Sequence, residues 1–341
     1  MLKIGINGYG TIGRRLAHAI HKQDDMKLVG AAKTRPDFKA MDAVNRDIPL
    51  YCSVPGNESK FREAGIELSG NLDELLDSVD IVVDCAPSKM GMDNKALYQK
   101  HGLKMMFQGG EKSTTADVSF NAQNNYEAAI GKESVRVVSC NTTGLARTLG
   151  NLRELSDTGQ VRTVMVRRAA DPGQSGKGPI NAIKPTPEMP SHHGPDLKTV
   201  IPDINIMSIA FAVSTTLMHS HAIMAELKES LDRETVLNKF RENPRVRVLR
   251  VQDGFKTTAE VMEHAKDLGR DMSDMYEIIV WDECLNVSED GKELYFMQAV
   301  HQESDVVPEN IDCIRALGGI ESDAEKSMAK TNKTLKIGVG K

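Results

Sequence analysis

Short apolar runs alternate with amphipathic stretches over the first 140 residues. Residues 2–7 (LKIGIN) form an apolar run that stops at a glycine-rich turn. Residues 11–23 then carry Ile12, Leu16, Ala17 and Ile20 at helical spacing. Residues 27–32 (KLVGAA), 81–85 (IVVDC), 104–108 (KMMFQ) and 135–139 (VRVVS) read as further strands. Residues 73–79 and 93–101 read as helices between them. Strands separated by helices predict an α/β fold with a doubly wound parallel sheet.

The texture changes after Cys140. Residues 162–166 (RTVMV), 204–213 (INIMSIAFAV) and 277–280 (EIIV) are longer strand candidates. Residues 170–199 form a long stretch rich in Gly, Pro, Ser and His, of the kind that is usually functional when it lies inside a compact domain. A late helix is predicted over 306–317, with Pro308 in its first turn and Gly318-Gly319 at its end. A last helix is predicted over 323–331.

At 341 residues the chain has the length of two domains. A net charge of −5 argues against nucleic acid as a main partner. No apolar run approaches the length of a membrane span, so no membrane association is expected. The first apolar run is broken by Asn7, Gly8 and Gly10, so a secretory signal is not expected and a cytoplasmic location is. The five cysteines (Cys52, Cys85, Cys140, Cys284, Cys313) are odd in number and contain no CxxC pair. They therefore predict neither a disulfide framework nor a metal site. The open question is whether one of them is a nucleophile.

Gly8-Tyr9-Gly10-Thr11-Ile12-Gly13 follows a strand and opens a helix, the context of a dinucleotide fingerprint. Gly8 permits the tight turn, Gly10 lets the backbone approach a pyrophosphate, and Gly13 lets helix and strand pack closely. The second strand ends in Lys33-Thr34-Arg35, where an NAD-selective site usually has an acid. A cation beside a hydroxyl suits a 2′-phosphate, so NADP is the favoured cofactor. Asp37 lies within reach and leaves NAD open.

Ser139-Cys140-Asn141-Thr142-Thr143-Gly144 joins a strand to a helix predicted from 143. Helix amides there would lower the thiol pKa and could hold an oxyanion. Beside a nicotinamide site, a thiolate has a specific use. It adds to an aldehyde, and the thiohemiacetal gives up hydride to become a thioester. A buried inert cysteine is the other reading. The chemistry needs a base, and His192, His193, His219 and His221 are the candidates; spacing does not choose between His219 and His221. Arg167-Arg168 closes a predicted strand and can hold an anion, with Lys177, Lys184 and His192-His193 nearby in sequence.

With these segments in hand, the chain resembles the archaeal class of phosphorylating glyceraldehyde-3-phosphate dehydrogenases. INGYGTIGRR, VVSCNTTGLART, RRAADP, SHHGPD and VHQESDVVPENIDCIRAL carry the resemblance, which spans essentially the whole length. The bacterial and eukaryotic class fits less well: the segment reads SCNTT rather than SCTTN, and position 167 is arginine where that class has its histidine.

The resemblance implies that Cys140 is the nucleophile and His219 the base. It implies that Ser139 and Asn141 line the substrate site. Thr11 and Ile12 would present amides to the pyrophosphate, with Gly110, Arg168 and Gln302 against the cofactor. Arg167, His192 and His193 are the candidates for the substrate phosphate or the attacking inorganic phosphate. The implied fold is a Rossmann-type domain of residues 1–139, completed by 303–341, and an α+β catalytic domain of 140–302 with a mixed sheet. The implied assembly is a homotetramer. The implied reaction is oxidation of D-glyceraldehyde 3-phosphate to 1,3-bisphosphoglycerate with NAD(P), in glycolysis or gluconeogenesis. Two other readings use the same features: a semialdehyde dehydrogenase or acyl-phosphate reductase of this fold, and a non-enzymatic nucleotide-binding regulator.

Overall fold

The structure is a computed structural model that describes residues 1–87, 89–170 and 178–340. The chain forms two compact units. The first holds Met1–Ser139 and Val307–Leu335; the second holds Cys140–Val306 and the tail from Lys336. The returning segment expected from 303 thus begins at Val307, and the tail parts from it again after Leu335. Among the described residues, no helix is long and apolar enough to cross a membrane.

The first unit is built on eight parallel strands: Leu2–Asn7 (β1), Met26–Lys33 (β2), Leu50–Cys52 (β3), Gly70–Asn71 (β4), Ile81–Asp84 (β5), Lys104–Phe107 (β6), Val118–Phe120 (β7) and Ser134–Val137 (β8). Their order is β4-β3-β2-β1-β5-β6-β8-β7. Central strands of such a sheet are covered on both faces, which is why they read as unbroken apolar runs. Ile4, Ile6, Ile81, Val82 and Val83 are wholly buried. The order reverses between β1 and β5, whose last residues, Asn7 and Asp84, stand side by side. That reversal opens a crevice at the strands' carboxyl ends, the place where such sheets bind nucleotides.

The second unit is built on Thr158–Arg168 (β9), Ile183–Pro185 (β10), Asn205–Val213 (β11), His219–Leu227 (β12), Val246–Leu249 (β13), Ile278–Trp281 (β14), Asn286–Val287 (β15) and Glu293–Val300 (β16). The order is β10-β11-β9-β12-β16-β14-β13, with β15 paired to β16. β9–β11 and β13–β14 run parallel and the other pairs antiparallel, so the sheet is mixed. Along β12, buried and half-buried residues alternate strictly. One face of this strand therefore points His219, His221, Ile223, Ala225 and Leu227 inward.

Three sequence expectations change. β12 and β16 were not expected, because polar residues (His219, His221, Gln298) sit on their buried faces and break the apolar signal. β3, β4 and β7 were not expected either, because two or three residues are too few to show a pattern. Within 170–199 the chain forms β10 and the short helix His193–Leu197; Asp171, Pro172 and Lys177 lie outside the described residues.

Candidate functional site

In the first unit, the turn after β1 brings the fingerprint residues together. Gly8 has φ +111°, and a Cβ there would stand 2.6 Å from the Cys85 carbonyl oxygen. A Cβ on Gly13 would stand 2.0 Å from the Gly8 oxygen. Both sites admit only glycine, and both hold the start of the helix Thr11–His21 against the strand ends. Gly10 differs: a Cβ there would meet nothing within 4 Å. Gly10 is the N-cap, and no side chain caps that helix, so its first amides face open space. Uncapped amides beside a glycine suit a diphosphate. The residues present therefore fit a dinucleotide.

At the end of β2, Lys33 is buried and its ammonium lies 2.9 Å from Asp37. It also donates to the Tyr9 carbonyl at 3.4 Å. Asp37 caps the helix Phe38–Asn45 by accepting from the backbone N–H groups of Lys39 and Ala40. Burial works to raise the Asp37 carboxyl; Lys33 and the two N–H groups outweigh it and hold it below its ordinary value. Arg35 is exposed, 3.9 Å from the same carboxylate, and Lys39 reaches Thr11 Oγ1 at 3.4 Å. Two cations thus flank one acid, and a third, Lys39, stands at the glycine turn. Lys39 was missed in the sequence, since only folding brings it back to the glycine turn. Thr34 gives its carbonyl to Asn57. Gly110 lies in the turn after β6. Ser139 backs onto Gly109, where a Cβ would stand 2.2 Å from its nitrogen.

In the second unit, Cys140 is the first residue of the helix Cys140–Arg153, which starts three residues before its predicted onset. The helix lies tightly on β12 and β16: a Cβ on Gly144 would stand 2.6 Å from Val300 Cγ2 and 3.3 Å from Gln298 Nε2. The expectation that the helix amides hold Cys140 as a thiolate is corrected here. Burial and then the Asp305 carboxylate push the thiol well above its ordinary value, while Arg168 and the Asn141 N–H pull the other way. The Asn141 side-chain nitrogen lies 3.8 Å from Sγ.

His219 Nδ1 accepts the backbone N–H of Arg168 at 3.0 Å. The neutral ring therefore carries its hydrogen on Nε2. Burial, then His221 and the two arginines, hold its pKa well below the ordinary value, so it is neutral. The Arg168 guanidinium pairs with Glu303 at 2.8 Å, both side chains buried. Glu303 also accepts from Gln302 at 3.0 Å and lies 2.7 Å from His301. Glu303 and Asp305 were not expected, because nothing in their spacing marks acids that turn inward.

Arg167 donates to Thr186 at 3.0 Å, and its buried Nε has no hydrogen-bond partner among the described residues. Its charge lowers both His192 and His193, after burial in each case. The rings of His192 and His193 stack at 3.9 Å. The fold therefore brings Arg167, His192 and His193 together. Lys184 sits exposed on β10.

Comparison with known proteins completes the picture. The C-terminal domain of glyceraldehyde 3-phosphate dehydrogenases matches residues 139–293. The N-terminal part of dihydrodipicolinate reductases matches residues 2–119. The chain is 56% identical to a glyceraldehyde-3-phosphate dehydrogenase of Methanobacterium bryantii over 339 residues, 99% of this chain and 100% of that one. It is 55% identical to one of Pyrococcus abyssi over 336 residues, 98% and 99% of the two chains. It is 51% identical to one of Methanothermus fervidus over 338 residues, 99% of each.

Proposed function

We propose, from the premise that the chain belongs to the glyceraldehyde-3-phosphate dehydrogenase family, that it oxidises D-glyceraldehyde 3-phosphate to 1,3-bisphosphoglycerate with a nicotinamide dinucleotide and inorganic phosphate. The observation that carries this reading is the group around Cys140: a half-buried thiol at a helix start, an amide on its sulfur, the charges of Arg167 and Arg168, and a neutral His219 bonded to the Arg168 N–H. Whole-length similarity to enzymes of one name sets aside the semialdehyde, acyl-phosphate and regulator readings.

Cys140 attacks the aldehyde carbon: the C–S bond forms as the carbonyl π bond opens, and the proton lost from sulfur ends on the carbonyl oxygen, giving the thiohemiacetal. Burial holds that proton on sulfur in the resting chain, so its loss is coupled to attack. His219 as it stands is a donor through Nε2, suited to the oxyanion of the thiohemiacetal. To act as the base expected of it, the ring must offer a bare Nε2 and give up the N–H bond from Arg168. A bound dinucleotide would supply the hydride acceptor, and the thiohemiacetal hydroxyl gives up its proton to solvent as the thioester forms. The resulting Cys140 thioester is cleaved when a phosphate oxygen attacks its carbonyl carbon; the acyl phosphate leaves and sulfur regains its proton. Arg167, His192 and His193 hold the substrate phosphate or the attacking phosphate, and Ser139 and Asn141 line the substrate site.

Thr11 and Ile12 would hold the pyrophosphate and Gly110, Arg168 and Gln302 the remaining cofactor. Lys33 and Thr34, with Arg35 and Lys39, would take a 2′-phosphate. The surplus of cations over Asp37 supports NADP as the favoured cofactor with NAD accepted. A homotetramer is supported by the outer face of the second sheet. There Val166, Met207, Tyr295 and Met297 are more than a third exposed on neighbouring strands. A free catalytic thiol needs a reducing compartment, which supports a cytoplasmic location.

The test is the initial rate of NADP and NAD reduction with D-glyceraldehyde 3-phosphate, with and without inorganic phosphate. Phosphate-dependent turnover is expected, and Cys140→Ser should abolish it while cofactor binding by equilibrium dialysis persists. Turnover independent of phosphate would remove the acyl-phosphate product. Turnover surviving in Cys140→Ser would remove the nucleophile.

A further inference from the structure

Behind Cys140 lies a chain of buried polar groups, of which the reaction above uses only Asn141 and His193. The Thr148 hydroxyl lies 2.8 Å from Gln298 Oε1. Gln298 Nε2 lies 3.0 Å from His221 Nδ1. His221 Nε2 lies 2.8 Å from Asn141 Oδ1. Asn141 Nδ2 lies 3.3 Å from His193 Nε2. His193 Nδ1 lies 3.2 Å from Ser191 Oγ, which donates to Ser208 Oγ at 2.9 Å. Ser208 in turn donates to the Ser191 carbonyl at 2.9 Å.

With the Gln298 and Asn141 amides oriented as they stand, each link has one direction. An amide nitrogen only donates, so His221 Nδ1 must be bare and Nε2 must carry the hydrogen. That hydrogen requires Asn141 to present its oxygen to His221. The Asn141 nitrogen then points the opposite way, toward His193 and the Cys140 sulfur. His193 accepts on Nε2 and so donates from Nδ1. One hydrogen per link closes the chain from Thr148 to the Ser191 carbonyl.

Resting on the reading that Cys140 is the nucleophile, we infer that His221 is a positioning residue: by holding Asn141 Oδ1, it fixes the Asn141 N–H on the Cys140 sulfur. A flipped Asn141 would set its carbonyl oxygen against a forming thiolate and its nitrogen against the His221 N–H. Both contacts are unfavourable, so the orientation is enforced from two sides. An N–H on sulfur strengthens as charge develops there. The histidines suit this work because they stay neutral: burial takes His221 down to about 3, and burial, His192, Arg167 and His221 take His193 down to about 2. A charged His221 would need a second acceptor where Gln298 presents a donor.

The charged groups facing the Cys140 sulfur are Asp305 and Glu303, which disfavour thiolate, and Arg168, which favours it; Arg167 also feels the thiolate charge. Against this background one N–H can be read as a shift in thiolate formation. The experiment is the pH dependence of Cys140 alkylation by iodoacetamide, located by peptide mass mapping. It is run on the full chain, His221→Leu, His221→Gln, Asn141→Ala and the double variant His221→Leu/Asn141→Ala. Circular dichroism and melting temperature accompany each.

Losing the N–H should move the alkylation midpoint up by about one pH unit, and slow alkylation about tenfold below it. His221→Leu and Asn141→Ala should give the same shift, and the double variant no more than either. His221→Gln keeps a donor and should stay near the parent, with kcat recovered and KM unchanged. If His221→Leu does not fold, Gln298→Leu is used, which frees the His221 tautomer and should shift the midpoint the same way.

A profile in His221→Leu or Gln298→Leu that overlies the parent overturns the proposal, as does a shift that adds to that of Asn141→Ala. Failure of the underlying reading is distinct. There Cys140→Ser would keep phosphate-dependent turnover, whatever the His221 and Asn141 variants do.

Discussion

Asp37→Asn isolates one charge at the expected 2′-phosphate position. Asparagine caps a helix as well as aspartate does, so the bonds from the Lys39 and Ala40 N–H groups can persist. What disappears is the negative charge beside Lys33, 2.9 Å away. A phosphate hydrogen-bonded to the far side of that ammonium would lie roughly 6 Å from the carboxylate. At that separation a unit charge costs about 0.7 kcal/mol in bulk water and about 2.8 kcal/mol at an effective dielectric near 20. Asp37 is about a quarter exposed, so the lower half of that range applies once salt screens the pair, and roughly tenfold is the expected change in affinity. Calorimetric titration should show NADP and 2′,5′-ADP binding about tenfold more tightly to Asp37→Asn, with the gain shrinking as salt rises. NAD should bind as before, or more weakly if Asp37 receives its 2′-hydroxyl. An unchanged ratio of NADP to NAD affinities, in a variant that melts like the parent, would refute the placement of the 2′-phosphate beside Lys33.

The two inner fingerprint glycines should separate binding from folding. Gly10→Ala adds a methyl to open space, so it should weaken dinucleotide binding at little cost in melting temperature. Gly13→Ala drives a methyl into the Gly8 carbonyl and should cost about 1–3 kcal/mol or more of stability; equal effects of the two on melting would contradict the geometry. In the second unit, Glu277 is buried between Arg270 and Arg247. Burial works to raise its carboxyl, but the arginines and the Gly338 N–H hold it down to about 2, from an ordinary 4.5. Because its folded value is depressed, its contribution is complete above about pH 4.5 and drains away as pH falls toward 2. Glu277→Gln leaves two buried guanidinium groups short of a counter-charge and should cost about 3–5 kcal/mol in urea melts at neutral pH. The loss should narrow as pH falls through that window, and a constant loss would sink the assignment.

The first unit was legible because its chemistry is local. A parallel strand buried on both faces is a short apolar run, and a glycine fingerprint is six consecutive residues. The elements that were read there moved by only a few positions: the helix expected over 73–79 is Leu72–Leu76, and that over 93–101 is Gly91–Lys100, while β3, β4, β7 and the helices Phe38–Asn45 and Glu58–Glu63 were not read. The second unit was less legible for a reason tied to its site. β12 and β16 carry His219, His221 and Gln298 inward, so an apolar pattern does not mark them. Cys140 stood out only in company with the glycine turn, and the direction of its thiol pKa was misjudged. Helix amides are visible in a sequence, whereas burial and an inward-facing Asp305 are not.

From sequence alone came a doubly wound nucleotide-binding half, a cysteine at a strand-to-helix junction, and cations at the ends of β2 and β9. Each rests on residues within a few positions of one another, where spacing and backbone geometry leave few alternatives. The tertiary structure decided which hydrogen each histidine carries, which way the Asn141 amide points, and that Asp37 already holds Lys33. Those depend on partners far apart in the chain, such as His221 with Asn141 and Gln298, or Arg168 with His219 and Glu303. Only packing of the Cys140 helix onto the buried face of β12 and β16 brings them within hydrogen-bond reach.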